Sequence, residues 1–323
     1  MTKISKAVVT GGAGFIGSHI VDELIKMGIE TFVIDNLSTG SLENLKQHKA
    51  NKLLHLIVGD ARNIKQFLDS VIDIDVVFHE AAIANVARSI SEPLVVHDVN
   101  VNMTLEVMNF CVKNKVKRFI FASSAAVYGN ISNKSASENQ ICRPYSPYGA
   151  SKLAIENYLN AYYHSYGLET VALRYFNVYG PRQTLNDYSG VITIFINQLL
   201  NNITPTIHGD GLQSRDFVHI KDIVQANVLC MESAKAAGEA FNVASQHTIS
   251  VLELLETLKH ITKSNIHHKF GPPRPGDVKF GYASIDKIRT KIGFEPKCTI
   301  SNNVVDVVEF IKSNSAVKIV TPK

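Results

Sequence analysis

A tyrosine and a lysine four residues apart could carry a proton transfer in this chain. Tyr148 and Lys152 lie in the segment SPYGASK, and residues at this spacing share one face of an α-helix. A neighbouring ammonium stabilises a phenolate, so it lowers the pKa of a tyrosine from its usual value of about 10 towards neutral pH. Tyr148 is therefore a candidate general base, with a solvated pair on a helix surface as the alternative.

The elements around this pair would bring it to the edge of a sheet. The helix is predicted to begin with Ser146 as its N-cap and Pro147 in its first position, and to stop at Gly167. The preceding apolar segment RFIFASS is typical of a strand and ends at Ser123 and Ser124. Because ligands of parallel sheets bind at the carboxyl ends of strands, both serines are candidate contacts.

A glycine-rich turn near the start of the chain predicts a dinucleotide site. The segment VVTGGAGFIGSHI contains two overlapping patterns, G-x-G-x-x-G at Gly12, Gly14 and Gly17 and G-x-x-G-x-x-G with Gly11 as its first member. The turn lies between an apolar strand and a helix, so the N–H groups of residues 13 to 16 could approach a pyrophosphate at the positive end of the helix. The alternative is a turn that only packs a helix closely against a strand.

Two acidic residues follow the next strands. Asp35 ends TFVID about 20 residues after the glycines, where a carboxylate accepts hydrogen bonds from an adenosine ribose and repels a 2′-phosphate. This position favours NAD over NADP as the cofactor. Asp60, in VGDAR, could reach the adenine edge or be a solvated aspartate at a strand end.

The order of the segments predicts an α/β fold, a Rossmann-type doubly wound parallel sheet with a smaller C-terminal substrate-binding lobe. Short β-branched runs alternate with amphipathic stretches through the first half of the chain. Residues 1–177 are predicted to form the NAD-binding domain, with residues 221–245 returning to it, and residues 178–323 mainly the second lobe. ETVALRYFNVYG is interpreted as one strand and DGLQSRDFVHI as a loop.

Composition and charge exclude several classes of protein. The 323 residues are 45% hydrophobic and 19% charged with a net charge of only +4, which argues against a nucleic-acid partner. No apolar run is long enough to span a membrane, and no signal peptide is recognised. The four cysteines are far apart and the 12 histidines dispersed, which predicts a cytoplasmic protein without a metal site.

Nine motifs along nearly the whole chain resemble the extended short-chain dehydrogenase/reductase family, and within it the NAD-dependent sugar-nucleotide epimerases and dehydratases. They are TGGAGFIG, FVIDN, VGDAR, FHEAA, SSAAVYG, YGASK, LRYFNVYGPRQ, SRDFVHIKDI and RPGD. The resemblance implies that Tyr148 is the base, that Lys152 tunes it and holds the nicotinamide ribose, and that Ser124 hydrogen-bonds the sugar oxygen being oxidised. One departure is Glu80 in FHEAA, where a leucine is frequent in the family.

The same resemblance implies two sets of binding residues. The NAD site would comprise Tyr148 and Lys152 with Gly11, Gly12, Gly14, Phe15, Ile16, Gly17, Asp35, Asn36, Asp60, Ala61, Ala81, Asn100, Ser123 and Phe176. A UDP-sugar would contact Ser124, Asn177, Val191, Arg215, Arg274, Asp277 and Gly281. The two arginines would face the diphosphate, for which bidentate guanidinium groups are suited.

The reaction implied by the resemblance is 4-epimerisation through a 4-keto sugar. Dehydratases of the family carry an acidic pair just after the active-site Ser or Thr, whereas this chain has Ala125 and Ala126, which cannot transfer protons. Relatives restricted to plain hexoses carry a bulky tyrosine at the position that an ungapped alignment gives to Gly281, and Tyr282 is one residue away. A glycine there predicts room for an acetamido group.

The expected reaction therefore interconverts UDP-GlcNAc and UDP-GalNAc, and in addition UDP-glucose and UDP-galactose. Alternatives are a UDP-uronic acid 4-epimerase, an NAD-linked sugar-nucleotide oxidoreductase that releases NADH, and a non-catalytic sensor of NAD or a nucleotide sugar. The resemblance also implies a homodimer formed through the helices near residues 100–114 and 147–166.

Overall fold

A seven-stranded parallel sheet is the central element of the computed structural model, which describes residues 4–130, 135–184, 190–273 and 281–314. Its strands are β1 (Lys6–Thr10), β2 (Glu30–Asp35), β3 (Leu54–Val58), β4 (Val76–His79), β5 (Arg118–Ser124), β6 (Glu169–Tyr175) and β10 (Glu239–Val243). The remaining strands are β7 (Asn177–Tyr179), β8 (Thr206–His208), β9 (Ser214–His219), β11 (Thr248–Ser250) and β12 (Lys269–Gly271).

The strand order β3-β2-β1-β4-β5-β6-β10 confirms the predicted fold class. β1 pairs with β2 on one side and with β4 on the other, so the direction in which the chain adds strands reverses at β1. A sheet of this kind has a crevice at the carboxyl ends of its strands beside this reversal, and dinucleotides bind there.

Helices cover both faces of the main sheet. The helices are α1 (Phe15–Lys26), α2 (Ile64–Phe67), α3 (Val86–Ser91), α4 (Pro93–His97), α5 (Met103–Lys113), α6 (Pro147–Tyr166), α7 (Val191–Leu200), α8 (Ile220–Glu232), α9 (Val251–Thr262), α10 (Asp286–Ile292) and α11 (Ile300–Asn314). A π-helical segment, Asp98–Asn102, leads into α5. Among the described residues, no helix is both long and apolar enough to cross a bilayer.

Two buried apolar clusters explain why the central strands are apolar on both sides. One cluster joins α1 and α8 to one face of the sheet through residues such as Ile20, Val33 and Ile223. The other joins α5 and α6 to the opposite face through residues such as Val107, Phe119 and Ile155. A strand between two helical layers has no face directed to water, so its sequence does not alternate.

Helix α6 begins and ends as its sequence predicts. The Ser146 hydroxyl accepts a hydrogen bond from the N–H of Gly149 at 3.1 Å, and Pro147 occupies the first helical position. Gly167 ends the helix with φ of +69°, in the left-handed region that favours glycine. The start of α6 is therefore fixed, and Tyr148 lies within its first turn.

The structure corrects two of the predicted segments after β5. ETVALRYFNVYG is not one strand, because the chain leaves the main sheet at Phe176, and Asn177 pairs instead with Phe217. DGLQSRDFVHI is not wholly a loop, because it contains β9, which pairs with β7 and β11. Both errors concern short strands whose partners lie far away in the sequence, so local pattern gives little signal for them.

A third apolar cluster lies in the C-terminal part of the chain. It joins α7, α9 and α11 to β7 and β9 through residues such as Phe195, Leu254 and Val307. The carboxyl edge of the main sheet continues into this region through β7, which begins two residues after β6 ends.

Candidate active site

The structure brings Ser124, Tyr148 and Lys152 together at the carboxyl edge of the main sheet. Ser124 is the last residue of β5, and its hydroxyl accepts a hydrogen bond from the N–H of Ala126 at 3.1 Å. It also forms a hydrogen bond with the Tyr148 side chain. Tyr148 is only 9% exposed and Lys152, one helical turn later, only 3%.

Lys152 is held by the main chain of β5 rather than by Tyr148. Its Nζ atom donates to the carbonyl oxygen of Ala122 at 2.7 Å and lies 4.6 Å from the centroid of the Phe121 ring. The distance from Nζ to the Tyr148 ring centroid is 5.9 Å. Burial lowers the pKa of Lys152 to about 8, although the carboxylates of Glu80 and Glu156 oppose this shift.

The predicted lowering of the Tyr148 pKa is wrong. Burial raises the pKa of Tyr148, the hydrogen bond with Ser124 opposes the rise, and the Glu80 carboxylate adds to it. The spacing of Tyr148 and Lys152 on one helix face was predicted correctly, but the deep burial of both side chains was not. Removing a phenolate from water costs more than the hydrogen bond with Ser124 returns.

The glycine-rich turn forms a cradle that side chains would fill. A Cβ atom added to Gly17 would collide with the carbonyl oxygen of Gly11 and would lie 2.8 Å from Cα of Gly12. Gly11 has φ of +71°, and its own Cβ would lie 2.7 Å from the main-chain nitrogen of Ala81. The N–H groups of Phe15 and Ile16 are at the start of α1, where no helical partner is available. The cradle therefore suits a pyrophosphate.

Asp35 lies directly beside this turn. Its carboxylate accepts hydrogen bonds from the N–H groups of Ala13 at 2.9 Å and Leu37 at 2.8 Å. The Oδ1 atom of Asn36 accepts one from the N–H of Ser38 at 3.0 Å. The acid predicted to bind a ribose is thus fixed against the cradle by the main chain.

Asp60 has a local structural partner. Its carboxylate accepts hydrogen bonds from the Arg62 side chain and from the Arg62 N–H, and the side-chain bonds lower its pKa most. It also caps the 3-10 helix Ala61–Asn63, which places Ala61 at the edge of the sheet beyond β3. The sequence pattern predicts Asp60 as a contact of the adenine or as a solvated aspartate, and neither alternative includes its ion pair with Arg62.

The other residues predicted for the cofactor surround the ends of β4, β5 and β6. Asn100 is buried, and its side-chain amide bonds both the N–H and the carbonyl oxygen of Ile83 and donates to the Ser151 hydroxyl. Ser123 donates to the Glu156 carboxylate. Phe176 is buried at the corner between β6 and β7.

A buried ion pair beneath the site was missed by the sequence patterns. Glu156 forms a bidentate pair with Arg174, at 2.6 Å and 3.0 Å for the shortest contacts. Arg174 also donates to the Tyr128 hydroxyl at 2.8 Å, and that hydroxyl donates to Asn242 at 2.7 Å. The available signal was the position of Glu156, four residues after Lys152 on the same face of α6.

A cavity of about 710 Å³ lies among β7, α7, β8 and β9, and Asn177, Val191 and Arg215 line it. Gly281 lies beside Arg215, since a Cβ atom there would be 3.6 Å from Cδ of that arginine. The structure thus groups four of the residues predicted for the substrate. Arg274 and Asp277 fall outside the described residues.

Comparison with known proteins agrees with this geometry. The model of the NAD dependent epimerase/dehydratase family matches residues 7–244. The chain is 40% identical to a structure of the UDP-N-acetylglucosamine 4-epimerase of Methanobrevibacter ruminantium M1 in complex with UDP-N-acetylmuramic acid; the TM-score is 0.91, with 97% of this chain and 100% of that chain covered.

Two further structures contain other UDP-sugars. The UDP-glucose 4-epimerase of Thermotoga maritima with UDP-glucose is 37% identical, with a TM-score of 0.90 and coverage of 96% and 99%. The UDP-glucuronic acid 4-epimerase of Bacillus cereus with UDP-glucuronic acid and NAD is 32% identical, with a TM-score of 0.88 and coverage of 95% and 99%. From its motifs, its fold and these matches, the chain belongs to the NAD-dependent epimerase/dehydratase family.

Proposed function

We propose that this chain is an NAD-dependent 4-epimerase of UDP-hexoses that works through a 4-keto sugar. The observation that carries the proposal is the hydrogen-bonded pair of Ser124 and Tyr148 at the carboxyl edge of the main sheet, the edge at which the glycine cradle also lies. The matches to three 4-epimerases with different UDP-sugars support it.

The cofactor-binding residues are proposed from the cradle and the strand ends around it. The N–H groups after Gly14 would hold the pyrophosphate, Asp35 the adenosine ribose, and Lys152 the nicotinamide ribose. When bound, NAD supplies the acceptor for the sugar hydride and, in its oxidised form, a positive charge.

The chain's own groups handle the proton of the sugar 4-hydroxyl. The Tyr148 oxygen takes this proton as the 4-keto sugar forms. It gives the proton back after the keto sugar has rotated to present its opposite face. Ser124 holds the same sugar oxygen. Burial raises the pKa of Tyr148, and a positive charge near the ribose would oppose this rise by favouring the phenolate. The residues after Ser124 are Ala125 and Ala126, so the keto sugar meets no acidic pair for elimination.

The substrate is proposed to be UDP-GlcNAc or UDP-GalNAc, with UDP-glucose and UDP-galactose in addition. Asn177, Val191, Arg215 and Gly281 would contact it in the cavity, with Arg274 and Asp277 completing the site. Gly281 supports an acetamido group there, because it has no side chain and a Cβ atom at this position would meet Arg215 only at 3.6 Å. The second candidate is a UDP-uronic acid 4-epimerase, which the Bacillus cereus structure favours.

We further propose that residues 1–177 with 221–245 form the cofactor-binding domain and residues 178–323 mainly the sugar-nucleotide lobe. The two sheet-covering clusters and the separate C-terminal cluster support this division.

The test is turnover of a panel of UDP-sugars by the purified protein, followed by proton NMR. We expect UDP-GlcNAc and UDP-GalNAc to reach the same equilibrium mixture from either side without free NADH. Exchange of UDP-glucuronic acid alone would select the second candidate. NADH released in step with sugar would indicate an oxidoreductase, and NAD binding without any exchange would indicate a sensor.

A further inference from the structure

A carboxyl group without a role in the proposed mechanism lies at the same strand edge as Tyr148 and Lys152. Glu80 directly follows β4, and its N–H donates to the carbonyl oxygen of Thr10 at 3.1 Å. A Cβ atom on Gly11 would lie 3.0 Å from its carbonyl carbon. Glu80 is therefore packed against the glycine cradle, at a position where the resemblance has a leucine in many relatives.

Among the described residues, the hydrogen-bond donor to this carboxyl group is a neutral hydroxyl. Its Oε1 atom accepts a hydrogen bond from the Tyr175 hydroxyl at 3.0 Å, and that hydroxyl accepts one from Nδ2 of Asn227 at 2.8 Å. Asn227 is buried in α8 and also donates to the carbonyl oxygen of Ile223. No ion pair to Glu80 is found within the parts of the chain that the structure describes. Its charge is thus set by burial and by more distant charges.

Three titratable side chains interact with the carboxyl group. Tyr148 and Lys152 of α6 act on it electrostatically, and Tyr175 of β6 donates a hydrogen bond to it. Burial raises the pKa of Glu80 to about 7, while the bond from Tyr175 and the charge of Lys152 lower it. A small change in positive charge nearby can therefore remove its proton.

We propose that Glu80 determines which oxidation state of the cofactor the chain prefers, its carboxylate favouring NAD+ over NADH. This inference rests on the proposed function, because Lys152 and Tyr148 would hold the nicotinamide ribose beside it. The oxidised ring is a cation and the reduced ring is neutral, so only the former attracts a carboxylate. Where Glu80 is protonated before binding, NAD+ displaces that proton into the solvent, whereas NADH leaves it in place.

The experiment measures competition between the two nucleotides. The protein is equilibrated with an excess of an equimolar NAD+ and NADH mixture from about pH 6 to about pH 9, and the bound nucleotides are then quantified. For the native chain, we expect the bound ratio of NAD+ to NADH to rise with pH through about 7 and then level off. In Glu80→Gln, the rise through about pH 7 should be absent, leaving only the change expected from Lys152, whose pKa is about 8, and the ratio at high pH should be about tenfold lower.

Two tyrosine variants complete the design. The hydrogen bond from Tyr175 lowers the pKa of Glu80. In Tyr175→Phe, the bound ratio of NAD+ to NADH should therefore rise at a higher pH, by the same factor as in the native chain. Tyr162→Phe is the matched control, because it likewise removes a hydroxyl that donates one hydrogen bond, here at 2.8 Å to Asn109 on the opposite side of the sheet. Its pH profile should match the native one.

The outcomes separate the inference from the proposed function. A native pH profile in both Glu80→Gln and Tyr175→Phe would overturn the role of Glu80 while leaving NAD binding intact. Binding of neither nucleotide by the native chain would overturn the proposed function and this inference with it. If Glu80→Gln fails to fold, an unshifted profile in Tyr175→Phe overturns the inference by itself.

Discussion

At the scale of single residues, burial outweighs charge at the proposed catalytic site. The carboxylates of Glu80 and Glu156 raise the pKa of Lys152, yet burial lowers it from 10.5 to about 8. A change of this size corresponds to about 3 kcal/mol in favour of the neutral amine. Cofactor and substrate, which bring charges of their own, would therefore decide the protonation states of Lys152 and Tyr148.

Gly281 provides a prediction about substrate choice. Replacing Gly281 by tyrosine would place a ring beside Arg215, where a Cβ atom meets only ordinary contacts at 3.6 Å or more. We expect Gly281→Tyr to lower kcat/KM for UDP-GlcNAc by at least about tenfold and that for UDP-glucose by less than about twofold, since only the acetamido group needs the space.

The control for this variant is Tyr282→Phe, which changes the neighbouring residue in the alternative alignment. It should leave the ratio of the two sugars unchanged. An equal loss on both sugars in Gly281→Tyr would contradict the role of this position.

Sequence alone could predict which of the proposed catalytic side chains meet, but not their protonation states. Helix periodicity fixes Tyr148 and Lys152 on one face, and the ends of parallel strands bring Ser124 to the same edge. The pKa of Tyr148 depends on burial among residues distant in the sequence, so its direction could not be predicted from spacing. The Glu156 and Arg174 pair was missed for the same reason.

At the scale of elements, the contact between β1 and α1 decides whether the cradle forms. Gly17→Ala would gain about 1 kcal/mol of helix propensity, but its Cβ would press on main-chain atoms of Gly11 and Gly12. Main chain cannot rotate aside, and overpacking costs about 1–3 kcal/mol. We expect a lower Tm and NAD affinity reduced by at least about tenfold.

Titration calorimetry with NAD and thermal unfolding measure both effects. Gly281→Ala is the matched glycine-to-alanine control, because its Cβ would have ordinary contacts outside the cradle. Unchanged Tm and NAD affinity in Gly17→Ala would show that the cradle tolerates a side chain.

Elements with local signals were predicted, and those that depend on distant pairing were not. Helix α6 has a serine cap, a proline in its first position and a terminal glycine, all readable within one segment. Strands β7 and β9 are short and pair with each other across about 40 residues of sequence. Their pairing carries Asn177 and Arg215 to the cavity, so this part of the site could be predicted only by resemblance.

At the scale of the whole molecule, one continuous edge connects the proposed cofactor and substrate regions. The chain passes from β6 in the main sheet to β7 in the smaller sheet within two residues. The cradle after β1 and the serines of β5 therefore lie at the edge from which the chain enters β7, whose residues line the cavity. The doubly wound fold was predictable from alternating strands and helices, whereas this turn at Phe176 was not.

A homodimer remains a prediction at this scale. Helix α6 carries Tyr158, Tyr162 and Tyr166 at four-residue spacing, and Tyr158 and Tyr166 are 43% and 61% exposed. Aromatic side chains on an exposed helix face are typical of interfaces. We expect light scattering to give twice the mass of one chain, and Tyr158→Glu to shift the protein towards monomer.

Ile72→Glu is the control for the dimer, because Ile72 is also exposed but lies outside both predicted helices. It should leave the mass unchanged. A native monomer at the concentrations used for assay would reject the dimer.

The most direct test of the proposed chemistry is epimer exchange in Tyr148→Phe, followed by NMR on the UDP-sugar that the native chain converts. The substitution keeps the buried ring and removes only the hydroxyl, so NAD should remain bound. Loss of a proton-transfer group costs about 100-fold or more, and we predict a fall in kcat of at least that size. Exchange at the native rate, with NAD bound, would contradict the assignment of Tyr148 as the base.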